Sequence, residues 1–120
     1  MSVICVSGCR NDRSFKERIR VLLKEAQPEK VIVGCCKNGV DRSTREVCIE
    51  EKICCHVYEA DWDKYGLRAG YLRNQAMIDE KPDAVWTFHK DIENSKGTKM
   101  TRDLALKAGI KVVQYNFGYS

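Results

Sequence analysis

Five short apolar runs recur along this chain: Val3–Ser7, Lys30–Val33, Ile53–Tyr58, Ala84–Phe88 and Lys111–Tyr115. Each is rich in Val, Ile or Cys and too short for a helix, so each reads as a strand. The segments between them carry a helical period. Phe15, Ile19, Leu22 and Leu23 share a face of the first, and Val47 and Ile49 mark the second. Leu72, Ala76, Met77 and Ile78 mark the third; Met100, Leu104, Leu106 and Ala108 mark the fourth, with Gly109 as its stop. Such alternation implies parallel strands joined by right-handed crossovers. The expected fold is therefore α/β and three-layered: an open, mostly parallel sheet of about five strands with helices on both faces.

At 120 residues a second core would leave both too small to be stable, so residues 1–120 read as one domain. Hydrophobic residues at 43% and charged residues at 32% fit an ordinary globular protein. No stretch approaches the roughly 18 apolar residues of a membrane span, and the strand-like start with its early Arg10 reads against a signal peptide. The expected location is the cytoplasm. The net charge of +4 suits an anionic small ligand. Lys and Arg are scattered rather than massed, which argues against nucleic acid as a partner.

The seven cysteines are an odd number, which argues against a complete disulfide framework. Cys5, Cys54 and Cys55 lie in apolar runs, where a free thiol behaves as a small hydrophobe. There is no C-x-x-C pair and the two histidines lack ligand spacing, so neither a zinc site nor another metal or cofactor is expected. Cys9, Cys35 and Cys36 fall in expected ligand loops, where a redox role stays open.

In a parallel sheet every strand-to-helix loop opens on the same edge, where α/β proteins hold ligands. Four loops here carry the unusual residues: Gly8-Cys9-Arg10, Gly34 through Arg42, Asp61 through Arg73, and His89 through Thr98. If the first and fourth strands are neighbours, their loops flank a topological switch point. Gly34-x-x-x-x-Gly39-Val40-Asp41-Arg42 is a glycine loop running into a helix, a pattern that lets backbone N–H groups approach an anion. Val40-Asp41 stands where a Walker loop needs Lys-Ser/Thr, which excludes that motif. Asp41 is either a helix cap or an acceptor for a ribose hydroxyl or base. Ser95-Lys96-Gly97-Thr98 is a second anion cradle at a helix start, with Thr98 as the expected cap.

Arg10, Arg42 and Arg73 sit near strand ends, where the guanidinium fork suits phosphate or carboxylate. The competing reading is a surface ion pair, such as Arg73 with Asp61. Trp62 and Tyr65 either stack on a base or cover their loop. His89 is a proton carrier only if it has a partner. Asp61, Trp62 and Arg73 are expected on one wall, with Gly66 and Gly70 permitting the chain to double back.

In this order and over nearly the whole chain, the motifs resemble the SLOG superfamily, the Rossmann-like group that includes the SMF/DprA and LOG proteins, and most closely its small YspA-related branch. Gly8-Cys9-Arg10 is similar to the family's Gly-Ser-Arg. Gly34-Cys35-Cys36-Lys37-Asn38-Gly39-Val40-Asp41-Arg42 is similar to Gly-Gly-Ala-x-Gly-Ala-Asp-Arg. Ala60-Asp61-Trp62 through Gly66, Ala69-Gly70, Arg73-Asn74 and Met77 form the most specific block, and Gly97-Thr98 ends a Gly-Gly-x-Gly-Thr loop. The chain departs from the pattern at Cys35 and at Asn94 and Ser95, each in place of a glycine. Met100 and Thr101 stand where LOG enzymes, which cleave the N-glycosidic bond of nucleoside monophosphates, carry a Glu.

The resemblance implies a Rossmann-like sheet, a homodimer or higher homo-oligomer, and a nucleotide or nucleotide-derived ligand that is sensed, carried or sequestered. Gly8, Arg10, Gly34, Gly39, Gly97 and Thr98 would face phosphate; Asp41, Asp61 and Asn74 would face sugar or base. Arg73 would neutralise charge, with Cys9, Arg42 and Trp62 in the same walls. The alternatives are an enzyme cleaving an N-glycosidic or phosphate bond of a nucleotide, with Asp41, Asp61 and Arg73 as its catalytic candidates, or a DNA-binding or protein-interaction scaffold.

Overall fold

In the computed structural model, which describes residues 2–34 and 38–116, every expected strand forms. The elements are β1 (Val3–Gly8), α1 (Lys16–Ala26), β2 (Lys30–Gly34), α2 (Gly39–Glu50), β3 (Cys55–Tyr58), α3 (Trp62–Tyr65), α4 (Ala69–Asp79), β4 (Ala84–Phe88), α5 (Gly97–Lys107) and β5 (Lys111–Tyr115). Short 3-10 turns occupy Gly66–Arg68 and Ile92–Asn94. The five strands are all parallel, in the order β3-β2-β1-β4-β5. β1 and β4 are neighbours, with Ile4 opposite Ala84 and Gly8 opposite Phe88, so the switch point lies between their ends. The fold is a three-layer Rossmann-like α/β sheet.

The pleat sends successive side chains to opposite faces. Ile4, Val6, Trp86 and Phe88 pack with Phe15, Ile19 and Leu23 at α1 and Val40 and Val47 of α2. Cys5, Ile32 and Val85 pack on the other face against Met77 and Ile78 of α4 and Ala105 of α5. A sheet buried on both faces needs apolar residues at consecutive positions, which is why β1, β2 and β4 read as continuous runs. Each fully buried Val, Ile or Phe contributes about 1.5–3 kcal/mol.

Three expectations are corrected. β3 begins at Cys55, and Cys54 before it is exposed. Ile49 is 76% exposed; the inner face of α2 is instead Val40, Ser43, Thr44, Val47 and Cys48. Leu106 and Ala108 also face outward, because the inner face of α5 is the small set Thr98, Thr101 and Ala105, one helical turn apart. Small side chains there let α5 lie close to β1 and β4. Gly109 does end α5: its φ is +77°, and Gly109 N–H and Ile110 N–H donate to Leu106 and Ala105 carbonyls.

Among the described residues Cys5, Cys9, Cys48, Cys54 and Cys55 are free thiols, and no cluster of His, Cys, Asp or Glu is placed to hold a metal. No described helix is long and apolar enough to cross a membrane. The expectations placed on Cys35 and Cys36 fall outside the described residues.

Candidate ligand site at the C-terminal edge of the sheet

The ends of β1 and β2 form the floor of a cavity of about 480 Å³. Gly8 closes β1 where there is no room for a side chain: a Cβ would lie 2.5 Å from the Phe88 carbonyl oxygen and 2.6 Å from Val40. The chain then enters Cys9, Arg10 and Asn11, all of which line the cavity. This loop is pinned on both sides. Cys9 N–H donates to Phe88 O at 3.0 Å, and Val40 N–H, in the first turn of α2, donates to Cys9 O at 2.9 Å. Gly39 permits the second contact. Its φ of +79° belongs to the left-handed region, and a Cβ there would meet Cys9 O at 2.2 Å and Arg10 at 2.4 Å. Gly39 is therefore buried beneath the loop rather than exposed in the cavity.

Arg73 and Asn74 reach the same cavity from α4 on the opposite face of the sheet, with Met77 one turn further on. Arg73 Nε donates to Asn74 Oδ1 at 2.9 Å, and the buried Asn74 amide in turn donates to Met100 sulfur at 3.5 Å. Asn74 thus aims the guanidinium. Arg73 Nη1 and Asp41 Oδ2 both approach the Cα of Gly34, at 2.7 and 3.2 Å from the point where a Cβ would stand. Any larger residue at the end of β2 would displace them.

Asp41 is the third residue of α2, whose cap position is Asn38, so it does not stand at the cap. Of the buried side-chain oxygens without a hydrogen-bond partner among the described residues (Asp41 Oδ1, Ser43 Oγ and Thr87 Oγ1), only that of Asp41 belongs to a residue lining the cavity. Burial pushes the Asp41 carboxyl up to about 7, against Arg73 and then Arg10, whose positive charges favour the ionised form.

On the β4 side the cavity is lined by His89, Ser95, Lys96, Gly97 and Thr98. α5 begins at Gly97, and its capping hydroxyl is Ser95, whose Oγ accepts from Lys99 N–H at 3.1 Å and donates to Ile92 O at 2.7 Å. Thr98, expected as the cap, is instead buried and on the cavity wall. A Cβ on Gly97 would meet nothing within 4 Å, so the first peptide of α5 is open to an occupant. Helix N-termini carry unpaired N–H groups and a positive dipole end, and Lys96 adds a full charge. His89 Nδ1 accepts from Asp91 N–H at 2.9 Å, which leaves the proton of a neutral ring on Nε2.

On the β3 side Trp62 lines the cavity, with its indole edge 3.3 Å from where a Cβ on Gly70 would be. Gly70 lies inside α4, so it seats the indole and does not turn the chain; the positive φ of +58° is at Gly66. Trp62 is still 49% exposed.

Of the residues expected at a site, Gly8, Cys9, Arg10, Gly34, Asp41, Trp62, Arg73, Asn74, Gly97 and Thr98 line this one cavity. Gly39, Arg42 and Asp61 do not. Arg42 is exposed and paired with Glu46 at 3.3 Å, part of a charge network with Arg13 and Lys16 that ties α1 to α2. Asp61 caps α3, accepting from Lys64 N–H at 3.1 Å, so the Arg73–Asp61 pair does not form. Tyr65 is also outside the lining, under the Lys64 ammonium. Asn11, His89 and Met77 also join the lining, as do Ser95 and Lys96 of the expected anion cradle. Asn11 and His89 lie one to three residues past a strand end and Met77 lies within α4, whereas Ser95 and Lys96 belong to the loop before α5 that the sequence already marked as an anion cradle.

A solved structure described as the predicted subunit of a tRNA methyltransferase from Methanocaldococcus jannaschii is similar to this chain. The TM-score is 0.55 at 12% identity, over 100% of this chain and 70% of that one. The likeness is one of fold. No protein-family model and no curated protein matches the sequence.

Proposed function

We propose that this chain binds a nucleotide or nucleotide-derived ligand in the cavity at the C-terminal edge of its sheet, as a member of the SLOG superfamily that senses, carries or sequesters that ligand, in the cytoplasm and as a homo-oligomer. The observation that carries the reading is the arrangement of charge. Arg10, Arg73, Lys96 and the open N-terminus of α5 all line one cavity, an anion-binding wall at a switch point. Trp62 offers an aromatic face at the rim of the same cavity. Phosphate and base are the two chemistries these groups recognise.

The test is calorimetric titration with mononucleotides, dinucleotides, cyclic nucleotides and ADP-ribose-like compounds. A charge-assisted contact is worth about 1.5–3 kcal/mol. Arg10→Ala and Arg73→Ala are therefore expected to weaken binding roughly tenfold to a hundredfold. Arg42→Ala, outside the cavity, is expected to leave it unchanged. Binding of no compound in the panel, with unchanged melting temperature, would refute the reading and favour the scaffold alternative.

A second reading is favoured by one observation. A carboxyl held near 7 beside a guanidinium is suited to proton transfer, so Asp41 supports cleavage of the N-glycosidic bond of a bound nucleotide. Chromatography of the titrated mixtures decides between the two: multiple turnover abolished by Asp41→Asn establishes the enzyme, and intact ligand establishes the binder.

A further inference from the structure

Cys48 and Cys55 come from different elements and meet at the edge of the core. Cys48 is on the inner face of α2, in its last turn, and Cys55 opens the edge strand β3. Lys52, at a φ of +57°, turns the chain out of α2, and Ile53 N–H then donates to Cys48 O at 2.9 Å. One residue further on, Cys54 O accepts from Val31 N–H at 2.8 Å, and Cys55 stands opposite Val31 in the sheet. Cys48 and Val31 belong to one core cluster, and Cys55 packs against it. Backbone hydrogen bonds before and after the turn therefore hold the two thiols together, and the thiols share a hydrogen bond of their own.

The two sulfurs are not equivalent. Cys48 is buried and is the donor: the bond to Cys55, and then burial, push its thiol up. Cys55 is partly exposed and accepts. That bond lowers its thiol against the effect of burial, and the Arg45 charge lowers it further, with Asp41 as a smaller opposing charge. The thiolate is the attacking form, and access decides which thiolate is reached. The fold thus sets a reachable nucleophile in front and a protonated thiol directly behind it.

We infer that Cys48 and Cys55 form a site of reversible oxidation by hydroperoxides. The Cys55 thiolate attacks a peroxide oxygen, the O–O bond breaks, and the departing oxygen takes up a proton and leaves as water or an alcohol. Cys55 is oxidised to the sulfenic acid and the peroxide is reduced. Cys48 sulfur then attacks Cys55 sulfur. The S–S bond forms, the S–O bond breaks, and the hydroxyl leaves with the Cys48 proton as water. A dithiol reductant restores both thiols by exchange. The bond joins the end of α2 to the edge strand, away from the cavity lining, so the inference stands apart from the nucleotide reading.

The experiment treats the native chain with a few equivalents of hydrogen peroxide, blocks the remaining thiols by alkylation and maps the tryptic peptides. Trypsin cuts after Lys52, so residues 46–52, with Cys48, and residues 53–64, with Cys54 and Cys55, stay together only if linked. The linked pair is expected to be at least tenfold more abundant than any other disulfide, with fragmentation placing the bond on Cys55. It is expected to persist in Cys54→Ser, to vanish in Cys55→Ser, and to be reversed by dithiothreitol. In Cys48→Ser, dimedone is expected to trap Cys55 as its sulfenic acid. A bond from Cys48 to Cys54, a dominant bond among Cys9, Cys35 and Cys36, oxidation of Cys55 without a bond, or no oxidation at all would each overturn the inference. An equal yield from the urea-denatured chain would overturn it too, since nearness in sequence would then suffice. The map of the wild type decides even if a variant fails to fold.

Discussion

Arg73 Nη1 and Asp41 Oδ2 converge on Gly34 from opposite faces of the sheet, 2.7 and 3.2 Å from where its Cβ would be. One helix brings the cation and another the acid, and the end of a central strand is left bare so that they can meet. Arg73 also bonds Asn74, and Asp41 Oδ1 has no hydrogen-bond partner among the described residues.

Two glycine substitutions separate site from scaffold. Gly34→Ala pushes against the mobile end of Arg73, so stability is expected to change by no more than about 1 kcal/mol while nucleotide affinity falls about tenfold. Gly39→Ala meets rigid backbone at 2.2 Å with φ at +79°. Strain of about 1–3 kcal/mol and overpacking of a similar size are expected to lower the melting temperature by on the order of 10 °C. Calorimetric melting and titration of both variants check the contrast; equal melting losses would contradict it.

Asp41 makes stability depend on pH. Its folded-state value of about 7 lies above the ordinary 3.8, so folding favours the protonated form. Between these values the folded chain holds a proton that the unfolded chain has lost, and stability falls as pH rises through that window. Asp41→Asn cannot ionise. It is expected to melt higher than the wild type at pH 8 and at the same temperature near pH 4, measured without ligand. An advantage that is constant with pH would show that the carboxyl does not titrate there.

Gly97→Ala adds a methyl group to open space, with no protein atom within 4 Å. The melting temperature is expected to stay within a degree or two, or to rise, since Ala is the better helix former by about 1 kcal/mol. Binding of a phosphorylated ligand is expected to weaken, because the methyl stands where the anion must approach the first N–H groups of α5. Undiminished binding would move the anion away from that helix.

Trp62→Ala removes a half-exposed ring resting on Gly70. Stacking on a base is worth about 1–3 kcal/mol, so affinity for purine nucleotides is expected to drop roughly tenfold with a small loss in melting temperature. Fluorescence of this tryptophan is expected to quench on titration of the wild type. Trp86, which is buried in the sheet, serves as the internal reference.

The thiols are expected to differ in reactivity. Cys54 is exposed; Cys5 is buried and its thiol is pushed up to about 12, chiefly by burial. Cys48 and Cys55 share a hydrogen bond that raises the first and lowers the second. Brief native alkylation followed by peptide mass analysis is expected to label Cys54 and then Cys55, leaving Cys5 and Cys48 unmodified until denaturation. Labelling of Cys5 in the native state would contradict the core assignment.

The sheet was legible because parallel strands buried on both faces must be apolar at every position, as Val31-Ile32-Val33 and Ala84-Val85-Trp86 are. β3 was read too long because an edge strand has only one protected side, and Ile53 and Cys54 look like strand whether or not they pair. The inner face of α5 was misread for the opposite reason. Thr98, Thr101 and Ala105 are small and partly polar, so hydrophobicity pointed to Leu104, Leu106 and Ala108, of which Leu104 packs against the core and the other two face water. At the cavity, glycines and arginines near strand ends stood out. Whether Asp41 caps its helix or Asp61 faces a ligand depends on one turn of backbone, a difference below the resolution of sequence pattern. Arg42 looked equivalent to Arg73 until Glu46, one turn along α2, claimed it.

The cavity floor is laid by Gly8 and Gly34 on the two strands at the heart of the sheet, locked by the Cys9–Val40 and Cys9–Phe88 hydrogen bonds. Its rim, Trp62 and Lys96, stands on short segments with exposed side chains. Conservation of shape and freedom of taste are thereby assigned to different residues. Descendants of such a chain can exchange what they recognise by rewriting the rim, and the strands beneath never need to learn of it.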